Sequence, residues 1–189
     1  YYNQALSQAY EMPSLSYSIA RKFEEHSLVD QAIELYVLAI QKTQNHSYEY
    51  RLAGLYARKK DLENMFLSYL NFTAYNPNYK NQTLQLLSDY ISEDAAAEYN
   101  RILKKIILKK LQTSSNVLWN QMLSWLFVQE KDYKRALAQE KAIFRRQQNS
   151  LQGIIDVALL AKAEKVYEVT SDGFRFISSV AQEPKLSME

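Results

Sequence analysis

The side chains of this 189-residue chain that could do chemistry are few and scattered. It has two histidines, His26 and His46, and no cysteine, so it offers no thiolate nucleophile, no disulfide and no Cys/His zinc set. A catalytic triad or a metal cluster needs partners at fixed spacing, and neither histidine has one in the sequence. We therefore predict ordinary surface histidines, no metal site and no cofactor.

Neighbouring carboxylates are the next candidates, since paired carboxyl groups can act as general acid and base. Glu24 and Glu25 are adjacent, and Asp61 and Glu63 lie two positions apart. Both pairs belong to amphipathic helical patterns, in which a charged face is ordinarily solvated. We therefore predict that the chain is not an enzyme. The alternative that it is an accessory region of a larger enzyme or sensor stays open.

The densest positive charge lies between Arg101 and Lys110, in the segment RILKKIILKKL. Its cations alternate with an apolar stripe, which is typical of a helix that packs one face and keeps its lysines in solvent. Nucleic-acid binding by the helix around Arg101–Lys110 is the alternative. The whole chain has 23 Lys and Arg against 21 Asp and Glu. This near balance argues against a nucleic-acid partner for the molecule as a whole.

Composition indicates that helices position these side chains. Hydrophobic residues make up 47% of the chain, and it has only three glycines and three prolines, too few for the turns of an all-β protein or for phosphate-binding loops. Apolar runs such as residues 117–127 contain polar residues and are shorter than the roughly 20 residues that span a bilayer. An all-α fold without a membrane span is therefore predicted. The lack of cysteine leaves the compartment open.

An internal repeat organises the chain. An aliphatic residue, a small residue and an aromatic residue recur as Ile19-Ala20-x-x-Phe23, Leu52-Ala53-x-x-Tyr56 and Leu123-Ser124-x-x-Phe127, each followed by a short turn and a second apolar helix. Looser copies begin at Leu86 and Val157. The five copies start 33, 34, 37 and 34 residues apart, a period that favours a helix-turn-helix solenoid.

This pattern resembles the tetratricopeptide repeat family, whose unit has a Leu-Gly/Ala-x-x-Tyr first helix, a short turn, an Ala-containing second helix and often a terminal proline. Asn76-Pro77 fits that ending. The resemblance implies an all-α, right-handed α-solenoid of about five helix-turn-helix repeats. The sequence departs from the family at two positions: the turn glycine is replaced by Ser27, Lys60 and Lys131, and the first-helix tryptophan by Ser16, Glu49 and Asn120.

The predicted organisation is a single domain over residues 1–189. Residues 1–12 are expected to be the tail of a preceding repeat, so the chain is expected to be part of a longer array. The repeats are predicted at approximately residues 13–45, 46–79, 80–116, 117–150 and 151–184. The triplet Ser171-Asp172-Gly173 interrupts the last helical pattern, and a weakened or kinked helix is expected there.

The resemblance also implies a function: a scaffold that binds a peptide or protein segment on its concave face. First-helix residues that point away from the second helix would line that face. The candidates are Tyr17, Arg21, Tyr50, Arg58, Gln121, Trp125 and Gln129. Trp125 is a large aromatic residue that the inward pattern does not require, and packing against a neighbouring repeat is the equal alternative for it. The sequence does not identify the partner.

Overall fold

A computed structural model describes residues 2–182, except for the side chains of residues 2, 3, 13 and 14. This part of the chain forms eleven α-helices and no strand, which confirms the all-α prediction. The helices are α1 (Tyr2–Glu11), α2 (Pro13–Glu25), α3 (Val29–Thr43), α4 (Glu49–Arg58), α5 (Leu62–Tyr75), α6 (Lys80–Ser88), α7 (Glu98–Thr113), α8 (Leu118–Gln129), α9 (Tyr133–Gln147), α10 (Gln152–Ala163) and α11 (Tyr167–Gln182). Two short 3₁₀ turns, His46–Tyr48 and Pro77–Tyr79, precede α4 and α6.

Consecutive helices pack as hairpins. The best-packed pairs are α2 with α3, α4 with α5, α8 with α9, and α10 with α11. These four hairpins fall within the predicted repeats at residues 13–45, 46–79, 117–150 and 151–184, although residues 183 and 184 lie outside the described part of the chain. The organisation into repeats stays a prediction.

The chain divides into two compact units, Tyr1–Asp89 and Tyr90–Glu189. The first contains α1 to α6 and the second contains α7 to α11. Their boundary falls inside the predicted third repeat, between α6 and α7. That repeat is one of the two with a looser match to the sequence pattern. The single domain expected from the sequence stays a prediction.

Each of the four hairpins turns through one residue in the left-handed conformation. These residues are Ser27, Lys60, Lys131 and Lys165, with φ of 60°, 58°, 55° and 62°. The next residue donates its N–H to the carbonyl five positions earlier, in the bonds Leu28 to Phe23, Asp61 to Tyr56, Asp132 to Phe127 and Val166 to Ala161, at 2.8 to 3.0 Å. This bond satisfies a carbonyl that the ending helix leaves unpaired. The positions at which the family's glycine is replaced therefore keep the backbone conformation that glycine favours.

Small side chains allow the paired helices to approach closely. Ala20, Ala53 and Ala158, on the first helices of three hairpins, are fully buried. Gly173 extends this feature to α11, because a Cβ atom there would lie 2.8 Å from the Cβ of Ala158. Helix α11 continues through Gly173 without a break. Gly173 is explained by close helix contact rather than by a kink.

Each unit buries its own apolar residues. In the first unit the core includes Phe23, Leu35, Tyr36, Leu52 and Leu55. In the second unit the most buried large side chains include Leu103, Ile107, Met122, Leu126 and Leu137. Many come from the inward faces of α2 to α4 and of α7 to α9. The buried faces thus follow the helical periodicity on which the prediction was based.

The left-handed turns lead to a stability prediction at Lys60. A residue with a Cβ atom pays about 1–2 kcal/mol for this conformation and glycine does not, so Lys60→Gly should increase the free energy of unfolding by about 1 kcal/mol. Denaturant unfolding of both proteins measures this. Gln41→Gly is the matched control, because Gln41 is exposed in helix α3 and should lose about 1 kcal/mol. Equal losses in both variants would contradict the role assigned to the turn.

Candidate functional site

The positions at which the family's tryptophan is replaced form a set of buried polar side chains. Ser16, Glu49 and Asn120 are each less than one-tenth exposed. Ser16 donates to a main-chain carbonyl of α1, 3.2 Å away. Asn120 donates to the Gln139 side chain at 2.8 Å and accepts from Arg146 at 3.0 Å. Polar contacts therefore join helices at the positions where a tryptophan would pack.

Glu49 is the charged member of this set. Its Oε1 accepts a hydrogen bond from Asn71 Nδ2 at 3.1 Å. The Nδ1 atom of His46 lies 3.7 Å from the same oxygen, too far for a hydrogen bond, and is buried without a hydrogen-bond partner. The His46 ring stacks on Tyr75 with centroids 3.5 Å apart. Burial raises the pKa of Glu49, while Asn71, Ser68 and His46 act in the opposite direction.

A pocket of about 300 Å³ opens on the first unit and is lined by three aromatic residues and two polar ones: Ser47, Tyr50, Phe72, Tyr79 and Gln82. Phe72 is buried, at 7% exposure, whereas Tyr50 and Tyr79 are 40% and 49% exposed. The Phe72 ring centroid lies 5.4 Å from that of Tyr50 and 5.3 Å from that of Tyr79. We name these five residues the aromatic pocket.

Local sequence holds the aromatic pocket in place. Tyr79 ends the 3₁₀ turn that begins at Pro77, where proline suits the first position of a helical turn. Asn76 Nδ2 donates to the Phe72 carbonyl at 3.0 Å at the end of α5. Buried Thr73 donates to Thr83 at 2.8 Å and so joins α5 to α6. The pocket is therefore built from helices that are fixed to one another.

Three predicted residues of the first unit lie elsewhere. Tyr17 is half-buried and stacks on Tyr48 with centroids 4.8 Å apart. Arg21 is exposed, with a guanidinium nitrogen 3.6 Å from a carboxylate oxygen of Glu25. Arg58 is exposed at the end of α4. None of these three lines the aromatic pocket, so the structure does not gather the predicted residues of this unit into one site.

The predicted residues of the second unit share one face of α8. Gln121, Trp125 and Gln129 are spaced four residues apart, which places them above one another on a helix, and all three are half-buried. The other tryptophan, Trp119, is buried, and its indole N–H has no hydrogen-bond partner. Trp119 is therefore the core tryptophan of α8. A binding role for the Trp125 face stays a prediction.

The basic helix α7 is divided between an inner and an outer side. Lys104 Nζ lies 2.8 Å from Glu130 Oε2, and the Glu130 side chain is completely buried. Asn100 donates to the other Glu130 oxygen at 3.1 Å. Lys104 also lies over the Phe127 ring, 5.6 Å from its centroid. Lys104, one cation of the basic cluster, is thus paired with a buried carboxylate of the second unit.

The outer side of α7 has a different composition. Arg101, Lys105 and Lys109 are exposed at four-residue spacing, and they line an open surface groove together with Lys104, Leu108 and Gln112. Cations on one helix face can attract a polyanion. This face is the part of α7 that the nucleic-acid alternative would use.

Two further findings concern the described part of the chain. No helix within residues 2–182 combines the length and apolarity needed to cross a membrane. The same residues contain no group of three or more His, Asp or Glu side chains that could hold a metal ion.

In comparisons with known proteins, no protein-family model matches the chain and no curated protein is significantly similar to it. Membership of the tetratricopeptide repeat family stays a prediction.

Of the five residues that line the aromatic pocket, only Tyr50 is among the binding residues predicted from the sequence. The predicted residues belong to first helices, whereas Phe72 is on a second helix and Tyr79 is in the following 3₁₀ turn. Asn76-Pro77 was the available signal, because a proline after a helix marks a turn that redirects the chain. An aromatic residue on either side of such a turn is a candidate for a shared pocket.

Glu49 leads to a pH prediction. The pKa of Glu49 is higher in the folded protein than in the unfolded chain. The protonated carboxyl group therefore contributes fully to stability below the unfolded pKa of about 4.3. This contribution is lost as the pH rises through the pKa of the folded state. Glu49→Gln removes this loss, and its amide can still accept from Asn71. The variant should therefore melt at a higher temperature than the wild type at neutral pH, with a smaller difference near pH 4. Thermal unfolding across pH 4–8 measures this.

Glu25→Gln is the control for Glu49, since a hydrogen bond from Lys22 lowers the pKa of Glu25 and the sign is reversed. This variant should be no more stable than the wild type at neutral pH. A Glu49→Gln advantage that does not change with pH would contradict the assignment of the effect to the buried carboxylate.

Lys104 leads to a prediction about the basic helix. Lys104→Ala leaves the Glu130 carboxylate buried without its cation, so we expect a loss of about 3–5 kcal/mol in unfolding free energy. Lys109→Ala, on the exposed side of the same helix, should change stability by less than about 0.5 kcal/mol. Denaturant unfolding of both variants provides the comparison. Similar small losses would show that the Lys104–Glu130 pair does not support the fold.

Proposed function

We propose that this chain is a non-catalytic scaffold of the tetratricopeptide type that binds a peptide segment of a partner protein. The observation that carries the proposal is the aromatic pocket, in which exposed Tyr50 and Tyr79 flank buried Phe72. Tyrosine is common at the energetic centres of protein interfaces, because it combines a large apolar ring with a polar hydroxyl. The pocket is therefore suited to receive a side chain from a partner.

The size and support of the aromatic pocket also favour a peptide. Its volume of about 300 Å³ is at the lower end of the range for small-molecule sites, and it suits one or two side chains. The Thr73–Thr83 hydrogen bond and the 3₁₀ turn hold its walls. Prearranged walls reduce the entropy lost on binding.

The proposed architecture is a right-handed α-solenoid. Apolar anchors that recur 33 to 37 residues apart, with four hairpins that reverse through the same left-handed turn, are typical of units that stack into a right-handed α-solenoid. In such an arrangement the first helices line a concave wall. The candidates for that wall are the predicted residues Tyr17, Arg21, Tyr50, Arg58, Gln121, Trp125 and Gln129.

Nucleic-acid binding is the second candidate function. The exposed row of Arg101, Lys105 and Lys109 on α7 favours it. The placement of Lys104 against Glu130 argues the other way, because a cation already paired in the core contributes little to binding a phosphate. The peptide scaffold is therefore the preferred proposal.

Selection of random displayed peptides against the whole chain tests the proposal. We expect a consensus peptide whose affinity falls about 30-fold or more in Tyr50→Ala, which corresponds to about 2 kcal/mol, as for other interface hot spots. Tyr167→Ala is the control, because Tyr167 is an exposed tyrosine outside the aromatic pocket. It should leave the affinity unchanged. Calorimetric titration of the three proteins gives the constants.

Two results would contradict the proposal. One is the absence of any selected peptide whose binding depends on Tyr50, in a protein that unfolds at the wild-type midpoint. The other is tight binding of an oligonucleotide with a steep dependence on salt that Lys105→Ala and Lys109→Ala remove. The second result would favour the nucleic-acid function.

A further inference from the structure

We infer that the aromatic pocket recognises a positively charged side chain, a lysine or an arginine of the bound segment. The inference rests on the proposed function, since it assigns the chemistry of the ligand to the same pocket. It is carried by the arrangement of the rings, by how the chain uses its other aromatic faces, and by the charge around the pocket.

Three aromatic rings line the pocket. The Phe72 plane is tilted 56° from that of Tyr50 and 59° from that of Tyr79, so Phe72 is not stacked face to face on either tyrosine. The face of an aromatic ring carries partial negative charge. A cation within about 6 Å of several such faces is attracted to each of them. Ser47 and Gln82 add oxygen atoms that can accept hydrogen bonds from an ammonium or guanidinium group.

The second unit already uses its aromatic faces in this way. Phe127 lies beneath Arg135, with the guanidinium carbon 4.6 Å from the ring centroid. Phe176 lies beneath both Lys141 and Arg145, at 5.2 and 5.7 Å. These rings are occupied by cations of the chain itself. They show that the geometry of this fold readily places a cation over an aromatic face.

The faces of the aromatic pocket are not used by the chain's own cations. Among residues 2–182, no lysine or arginine lies over the rings of Tyr50, Phe72 or Tyr79. Tyr50 and Tyr79 nevertheless remain substantially exposed. A cation brought by a partner would therefore meet accessible tyrosine side chains that hold no cation of the chain itself.

Charge separates a cationic guest from an acidic one. The five lining residues include no lysine, arginine or histidine, so a carboxylate would have no cation to pair with and would face the negative ring faces. Residues 1–89 carry eight Lys and Arg against nine Asp and Glu, whereas residues 90–189 carry fifteen against twelve. The first unit therefore does not repel a cation through its net charge.

Choline and 3,3-dimethylbutan-1-ol test the inference directly, because they have the same shape and only choline is charged. Both would be titrated into the whole chain and followed by the NMR signals of the tyrosine rings. We expect choline to bind about 2- to 30-fold more tightly than the neutral alcohol, from the usual strength of a cation over an aromatic face. Equal affinities, tighter binding of the alcohol, or no binding of choline would overturn the inference.

Variants connect the preference to the pocket. Tyr50→Leu and Tyr79→Leu keep an apolar side chain and remove a ring face, so each should abolish the preference for choline. Tyr167→Leu changes an exposed tyrosine outside the pocket and should retain this preference. A preference that survives in both pocket variants would place the cation elsewhere and overturn the inference.

The displayed peptides distinguish this inference from the proposed function. Peptides that depend on Tyr50 and share a lysine or arginine support both. Peptides that depend on Tyr50 but carry no common cation overturn the choice of ligand and leave the scaffold function intact. If no peptide depends on Tyr50, the function fails as well.

Discussion

The rest of the structure depends on one constraint, the left-handed residue that ends the first helix of each hairpin. A helix has to stop and the chain has to reverse within about three residues, so the last carbonyl groups need partners at once. The residue after the left-handed one supplies an N–H to the carbonyl of Phe23, Tyr56, Phe127 or Ala161. Each of these is the repeat position that the sequence pattern reserves for an aromatic residue, which Ala161 fills in the last hairpin. One backbone bond therefore fixes both the turn and an inter-helix packing residue.

Residues 89–97, which connect α6 to α7, contain no left-handed residue. In this connection a side chain, that of Asn100, satisfies the backbone groups. Asn100 accepts the Ser92 N–H at 3.1 Å and donates to the Ser92 carbonyl at 2.8 Å, so it satisfies the backbone of the connection. The same Asn100 amide donates to Glu130, which is paired with Lys104. Deletion of one partner in such a network leaves buried polar groups unsatisfied. The buried charge of the second unit is thus linked to its irregular connection.

Local patterns in the sequence predicted what is local in the structure. Four hairpins lie within ranges that the anchor spacing predicted, and Ser27, Lys60 and Lys131, which the sequence pattern placed at turns, have left-handed backbone. Lys104 could not be separated from its neighbours in that way, because its position depends on Glu130, which is 26 residues further along the chain. The aromatic pocket was missed for the same reason, since α4, α5 and the turn before α6 each contribute one ring. Tyr17 was predicted to lie on an open helix face, and in the structure its ring stacks on Tyr48.

The buried polar residues Glu49 and Asn120 indicate how the hairpins keep their register. A tryptophan would contribute buried apolar area, whose attraction is large but has no preferred direction. Asn120 of α8 instead forms hydrogen bonds with Gln139 and Arg146 of α9. Glu49 of α4 accepts a hydrogen bond from Asn71 of α5. These bonds form only in one alignment of the two helices, and a slip of one residue would leave each buried group unsatisfied at a cost of about 1–3 kcal/mol. Polar residues at these positions therefore bury less apolar area than a tryptophan would, but they fix the alignment of the two helices. In the second repeat that alignment also sets Tyr50, the neighbour of Glu49, beside Phe72.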